Sequence, residues 1–343
     1  MDTIRVGLVG LAQGWYATLY SRACAQMRDV EFIGVCDLGV SEEYARACAE
    51  ISAAAFAAEL GVPLIHDFGA LLERGPHALI ITSETVDHHR YAVPAIEAGV
   101  HVFIGKPMTT TLAAAQAIAA AAVKQPAVVV LPGEPARYED GMIQARARLQ
   151  EGQIGRPLMV HVYVNHLAMT NHAWEMSAER SGSPLIEFGS YPADLAEWVV
   201  GAPIKTVYAQ ADNFMTPAIE GPDNVKMLCR HQNGTISTLD VYSAITWDYP
   251  FLGLEIIGER GCIRADYHNY PVYVHKKDAV LVSSPRYSPM NAREIEHFMD
   301  CVRGRATPVI TPQEYVSTIR LLEAARRSIA EGQPVEIEAG RIE

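Results

Sequence analysis

The sequence predicts a two-domain α/β protein: an amino-terminal, doubly wound parallel sheet over residues 1–130, then an α+β domain over residues 131–343 with a large, mostly antiparallel open sheet. Three observations predict it. Up to about residue 132, short apolar runs alternate with helix-length segments, which is the rhythm of βαβ units. Beyond that point the strands lengthen and alternate apolar with polar residues, and Asn233–Gly234 between two such runs marks a hairpin. Finally, 343 residues exceed one ordinary domain, so two domains sharing a crevice are expected.

In chain order, Ile4–Val9, Val30–Cys36, Ala78–Thr82, His101–Ile104 and Ala127–Leu131 read as buried strands, with Ala-rich helices over Glu42–Leu60 and Leu112–Val123. The first strand runs into GLVGLAQGWYA, where a dinucleotide fingerprint would read G-x-G-x-x-G. Gly10 supplies the first glycine, Ala12 stands at the second, Trp15 at the third, and Gly14 falls one position early. The candidate dinucleotide contacts of this turn are Gly10, Ala12, Gln13 and Gly14. Asp37 ends the second strand, where a carboxylate accepts ribose hydroxyls and repels a 2′-phosphate; the alternative is a turn aspartate beside Gly39. Ser83, Thr85 and His88 follow the strand at 78–82, either capping the next helix or touching a cofactor's ribose and nicotinamide.

The apolar run HVFIGKPM, from His101 to Met108, ends abruptly in Lys106 and Pro107. Open α/β sheets bind ligands in the crevice beyond their strand ends, which makes Lys106 the first catalytic candidate.

After residue 132, Arg137–Glu151 reads as one long helix stopped by Gly152, and RPLMVHVYVN as a long alternating strand. A polar stretch with aromatics follows from His166 to Ser183, then strands at Thr206–Asn213, Val225–Ala244, Leu254–Asp266 and Val272–Val282, and closing helices at Ala292–Arg303 and Pro312–Glu331. Within GSPLIEFGSYPADLAEW, Glu187, Tyr191 and Asp194 are spaced to share one helix face, although Pro192 suits only a helix's first turn and places the start near Ser190 or a kink there. A carboxylate and a phenol on that face make a proton-handling pair; a polar helix start also serves simply as a cap.

The formal net charge of −12 argues against nucleic acid or an anionic membrane as a partner. No apolar run is long enough for a bilayer. Six scattered cysteines without a CxxC fit a reducing compartment, and the cytoplasm is the expected location. His161, His166 and His172 could be grouped as metal ligands on composition, but no tight ligand spacing supports them, and no metal is expected.

With these residues in hand, the chain resembles the glucose-fructose oxidoreductase, inositol dehydrogenase and rhizopine catabolism (Gfo/Idh/MocA) family from end to end. The matching stretches are AGVHVFIGKP, the Arg137–Tyr138 pair with a later GQIG, EFGSYPAD, and FMDCVRGRATPVITPQE. The resemblance implies a nicotinamide-binding Rossmann domain, a second domain with an open sheet, and oxidation or reduction of a sugar, cyclitol or related polyol, with NAD as cofactor and NADP as the alternative. It puts the family lysine on Lys106, the acid-base histidine on Tyr191 and the aspartate on Glu187. Tyr191 would then be the acid-base group, Lys106 the substrate-hydroxyl donor that draws its phenol down, and Glu187 the orienting carboxylate. His166, His172 and Trp174 would contact substrate, and the open sheet would form a homodimer or homotetramer. The chain departs from the pattern at Ala12, Glu84, Thr85, Gly105, Glu187 and Tyr191. Two other readings stay open: a binding protein that has lost productive cofactor use, and a glycosidase or lyase that oxidises its substrate transiently.

Overall fold

A computed structural model of the chain describes residues 3–166, 172–244, 250–267, 271–277, 279–283 and 290–338. Six parallel strands form the first sheet: β1 (Ile4–Val9), β2 (Val30–Cys36), β3 (Leu64–Ile65), β4 (Ala78–Ile81), β5 (His101–Ile104) and β6 (Val130–Pro132). They are ordered β3-β2-β1-β4-β5-β6, the doubly wound order whose switch point lies between β1 and β4. That point sets the first turn beside the loop after β4. Strand β3 went unread in the sequence because two residues carry no periodicity.

The second sheet contains β7 (Pro157–Asn165), β8 (Ile204–Asp212), β9 (Asn224–His231), β10 (Ile236–Tyr242), β11 (Leu252–Gly258), β12 (Gly261–Asp266), β13 (Val272–Lys276), β14 (Ala279–Ser283) and β15 (Val335–Glu336). Its order is β14-β13-β12-β11-β7-β10-β9-β8-β15, antiparallel throughout except where β7 pairs β10. Helices cover one face, and the other leaves Met159, Leu228 and Ile257 exposed.

Two helices expected as single pieces are broken. Glu42–Leu60 divides into Glu42–Ala49 and Ala53–Leu60, because Glu50 adopts a left-handed φ of 56° and Ser52 then caps a new helix by accepting from the Ala55 N–H. Arg137–Glu151 divides into a 3-10 turn, Pro135–Tyr138, and a helix, Asp140–Gln150, with Glu139 extended between them. The break frees Arg137 to turn inward.

Each sheet has its own core. The first gathers Val6, Leu8, Ile80 and Phe103 and also takes Phe298, Tyr315 and Ile319 from the closing helices. The second gathers Val162, Tyr191 and Leu239 and takes Leu321 and Leu322. The last helix, Pro312–Glu331, therefore belongs to both cores. It starts in a full capping box, Thr311 with Glu314, just ahead of Pro312 at its first position.

Candidate active site

Strand β5 delivers Lys106, which a cis bond joins to Pro107, into the seam between the domains. The Lys106 side chain is only 5% exposed, and its ammonium donates to the Glu187 carboxylate at 3.0 Å and to the Glu187 carbonyl. It also lies 4.5 Å from the centre of the Tyr191 ring. Gly105 has a definite role here. A Cβ at that position would stand 1.7 Å from Gln13 Oε1, and the Gln13 amide uses the space to donate to the Lys106 carbonyl at 2.8 Å. Gln13 thus holds the lysine's backbone.

Glu187 closes the short helix Ser183–Glu187, and Tyr191 opens a separate one, Ser190–Val200, with Pro192 in its first turn. The helix carrying Tyr191 and Asp194 thus starts at Ser190, one of the two places Pro192 left open, and Glu187 does not share its face. Asp194 turns away from the cavity to accept two hydrogen bonds from Arg137, at 2.7 and 2.8 Å, while Arg137 also donates to the Val309 carbonyl at 2.6 Å. That buried pair joins the second domain to the closing helices.

Burial pushes the Glu187 carboxyl up to about 7, with Lys106 opposing the shift. The Tyr191 phenol is also pushed up, by burial first and then by Tyr16 and Glu134, so it stays protonated at neutral pH. Lys106 does not draw it down as expected, because the ammonium sits over the ring face and is paired with Glu187. The Tyr191 hydroxyl is buried without a hydrogen-bond partner in good geometry, although the Tyr16 phenol is close enough to influence it.

These groups face a cavity of roughly 390 Å³. Tyr16, Trp15, Phe188 and His166 give it aromatic walls, and Gln13, Glu50, His172, Glu175, Lys106 and Glu187 its polar ones. His166 stacks on Phe188, with ring centres 4.5 Å apart, and His172 pairs with Glu175 at 2.8 Å. Sequence reasoning missed Tyr16, Glu50, Glu175 and Phe188. Tyr16 was the findable one, since it follows the first turn directly.

The dinucleotide candidates divide. Gly10 has a φ of 80° and no room for a Cβ, which would meet the Ser83 Cα at 2.6 Å, so the tight turn holds. Thr85 reaches Glu187 at 3.4 Å, at the seam. His88 is buried between the carbonyls of Ser83, Pro107 and Met108, and burial lowers it to about 4. It braces the two strand-end loops and does not line the cavity. The Asp37 carboxylate meets the Gly39 N–H and the His66 ring. Trp174, expected on substrate, is instead 1% exposed, and its indole donates to the Ala12 carbonyl at 3.0 Å. The Gln13 and Gly14 amides, which would face a phosphate, donate to Thr82 and Leu11 carbonyls. The cavity thus runs from Lys106 to Gln13 and Trp15 at the first turn, where a dinucleotide's nicotinamide end has room, while Trp174 of the second domain covers the turn at Ala12.

Of the three histidines considered as metal ligands, His166 and His172 line the cavity and His161 stands outside it. His161 pairs with Asp240, His166 with Phe188 and His172 with Glu175, and among the described residues no three potential ligands converge.

A doubly wound sheet whose strand-end lysine meets a carboxylate and a phenol from an open-sheet domain defines a two-domain oxidoreductase architecture. The chain belongs to the Gfo/Idh/MocA family: residues 4–132 match its oxidoreductase, NAD-binding Rossmann-fold domain and residues 142–264 its carboxyl-terminal domain. Among curated relatives it is similar to scyllo-inositol 2-dehydrogenase (NAD(+)) of Bacillus subtilis, 26% identical over 83% of this chain and 85% of that protein. It is also similar to D-apiose dehydrogenase of Paraburkholderia graminis, 24% identical over 95% and 88%. A solved oxidoreductase from Agrobacterium radiobacter, in complex with NAD+, L-tartaric acid and magnesium, shares the fold with a TM-score of 0.84 at 21% identity, covering 98% of this chain and 99% of that one.

Proposed function

We propose that the protein is an NAD-dependent dehydrogenase or reductase acting on a secondary alcohol or ketone of a sugar, cyclitol or related polyol. The observation that carries this is the convergence of Lys106 from the first domain with Glu187 and Tyr191 from the second on one cavity. Family membership and the named activities of the relatives agree with it. The bound nicotinamide would accept or return a hydride. The chain's own groups handle the proton. Tyr191 offers its hydroxyl to the reacting oxygen, and Lys106 donates to the same oxygen and steadies its negative charge. Glu187, titrating about 7, receives the proton in the oxidising direction through the ammonium it touches. His166 and His172, with the aromatic walls, contact the substrate ring. Asp37 is followed by Leu38 and Gly39 with no arginine, which favours NAD over NADP.

Among the described residues no helix is long and apolar enough to cross a membrane. The six free cysteines suit the cytoplasm. The exposed Met159, Leu228 and Ile257 would bury against a second copy in a homodimer or homotetramer.

A second reading, a binding protein without turnover, is favoured by the covered first turn. Native mass spectrometry of freshly purified protein, with a screen of inositols and aldoses for NADH formation, tests both. Retained dinucleotide and NADH production support the dehydrogenase. Failure to retain NAD, together with no gain in thermal stability when it is added, leaves the binding protein. Bond cleavage in a substrate without net NADH would indicate a glycosidase or lyase.

A further inference from the structure

Two short helices of the second domain, Ala173–Met176 and Ala178–Ser181, lie across the first turn of the Rossmann domain. Their contacts there are specific. The Trp174 ring packs with Ala12, Cys48 and Tyr44 while its indole N–H holds the Ala12 carbonyl. Arg180 donates through two nitrogens to the Glu84 carboxylate, which also accepts from the Tyr44 hydroxyl. Gly14 is hemmed in by its own domain, since a Cβ there would stand 2.2 Å from the Cys48 carbonyl. On its outer side the segment is fastened to its own domain: Ser177 and Ala178 donate to Glu220, whose N–H donates to the Met176 carbonyl.

We infer that this segment is a latch on the dinucleotide groove, closed by Arg180 on Glu84 and by Trp174 on Ala12, and that it must release before the phosphates of a dinucleotide reach the first turn. The inference rests on the NAD-dependent reading above. Arg180 is about a third exposed, at 37%, so the pair is a modest fastening that binding energy can overcome. A closed latch lowers apparent affinity by the fraction of molecules that are open. Glu84 is itself a departure from the family pattern, and it supplies the anion that Arg180 and Tyr44 grip.

The test is stopped-flow association of NADH with the full-length protein, its Arg180→Gln and Glu84→Gln forms, their double variant, and Tyr44→Phe as a milder opening. Removing a cation beside an incoming pyrophosphate would by charge alone slow association. Acceleration in Arg180→Gln is therefore the outcome that only a latch produces. Both single variants are expected to bind NADH several-fold faster, Tyr44→Phe less so, and the double variant no faster than the better single, because all break one contact. NADH binding at an unchanged or reduced rate in Arg180→Gln overturns the latch and leaves the NAD-dependent reading standing. If no form binds NADH, the dinucleotide reading fails and the latch with it.

Discussion

Lys106, Glu187 and Tyr191 form one unit, and their substitutions separate by role. Tyr191→Phe and Lys106→Ala should each lower kcat by about 10²- to 10⁴-fold on a confirmed substrate, the usual contribution of a positioned proton-transfer group. Steady-state kinetics of the two variants check this, and turnover intact in both would sink the assignment. The pH profile follows from Glu187. Its carboxyl is pushed up to about 7, so the oxidising rate should fall as the pH drops below that value and the acceptor becomes protonated. Glu187→Gln should abolish that acid limb along with most of the rate. Lys106 and Tyr191 were legible in the sequence because a strand-end lysine and a phenol at a helix start are local patterns. The direction of the phenol's shift was not, because it depends on Tyr16 and Glu134, which lie 175 and 57 positions before Tyr191 in the chain and meet it only in the fold. The exchange at Gly105 was visible only as a missing glutamate. That Gln13 fills the space has no local signal, because the two loops are 92 positions apart and meet only in the fold.

At the scale of elements, the alternating strands and the capped helices were readable because their signals repeat every two or every 3.6 residues. The two broken helices were not, since a single left-handed Glu50 or an extended Glu139 leaves no periodic trace. The break at Glu139 carries a measurable consequence. With Arg137 turned inward, Arg137→Met would leave Asp194 buried and unpaired, and should cost about 3–5 kcal/mol in urea unfolding. The capping box is a smaller test: Thr311→Ala should cost roughly 1 kcal/mol by the same measurement.

Across the whole molecule, a buried carboxyl sets a dependence on pH. Glu294 accepts from the Tyr20 hydroxyl at 2.7 Å and from the Glu134 N–H at 2.6 Å, and burial pushes it up to about 8. Because this lies above the unfolded value of about 4.3, its contribution is fully present below that value and is lost progressively as the pH climbs toward 8. The melting temperature should decline over that window, and Glu294→Gln should flatten the decline in a calorimetric series.

The final helix also constrains how the protein can move. It lies against both the helix Leu112–Lys124 of the first domain and strand β8 of the second, and so rivets the two halves together. A jaw-like swing of one half away from the other would separate those contacts, so the latch inferred above predicts a small flap lifting from a stiff frame. Small-angle scattering should accordingly give the same radius of gyration with and without nucleotide, while amide exchange at residues 173–181 changes.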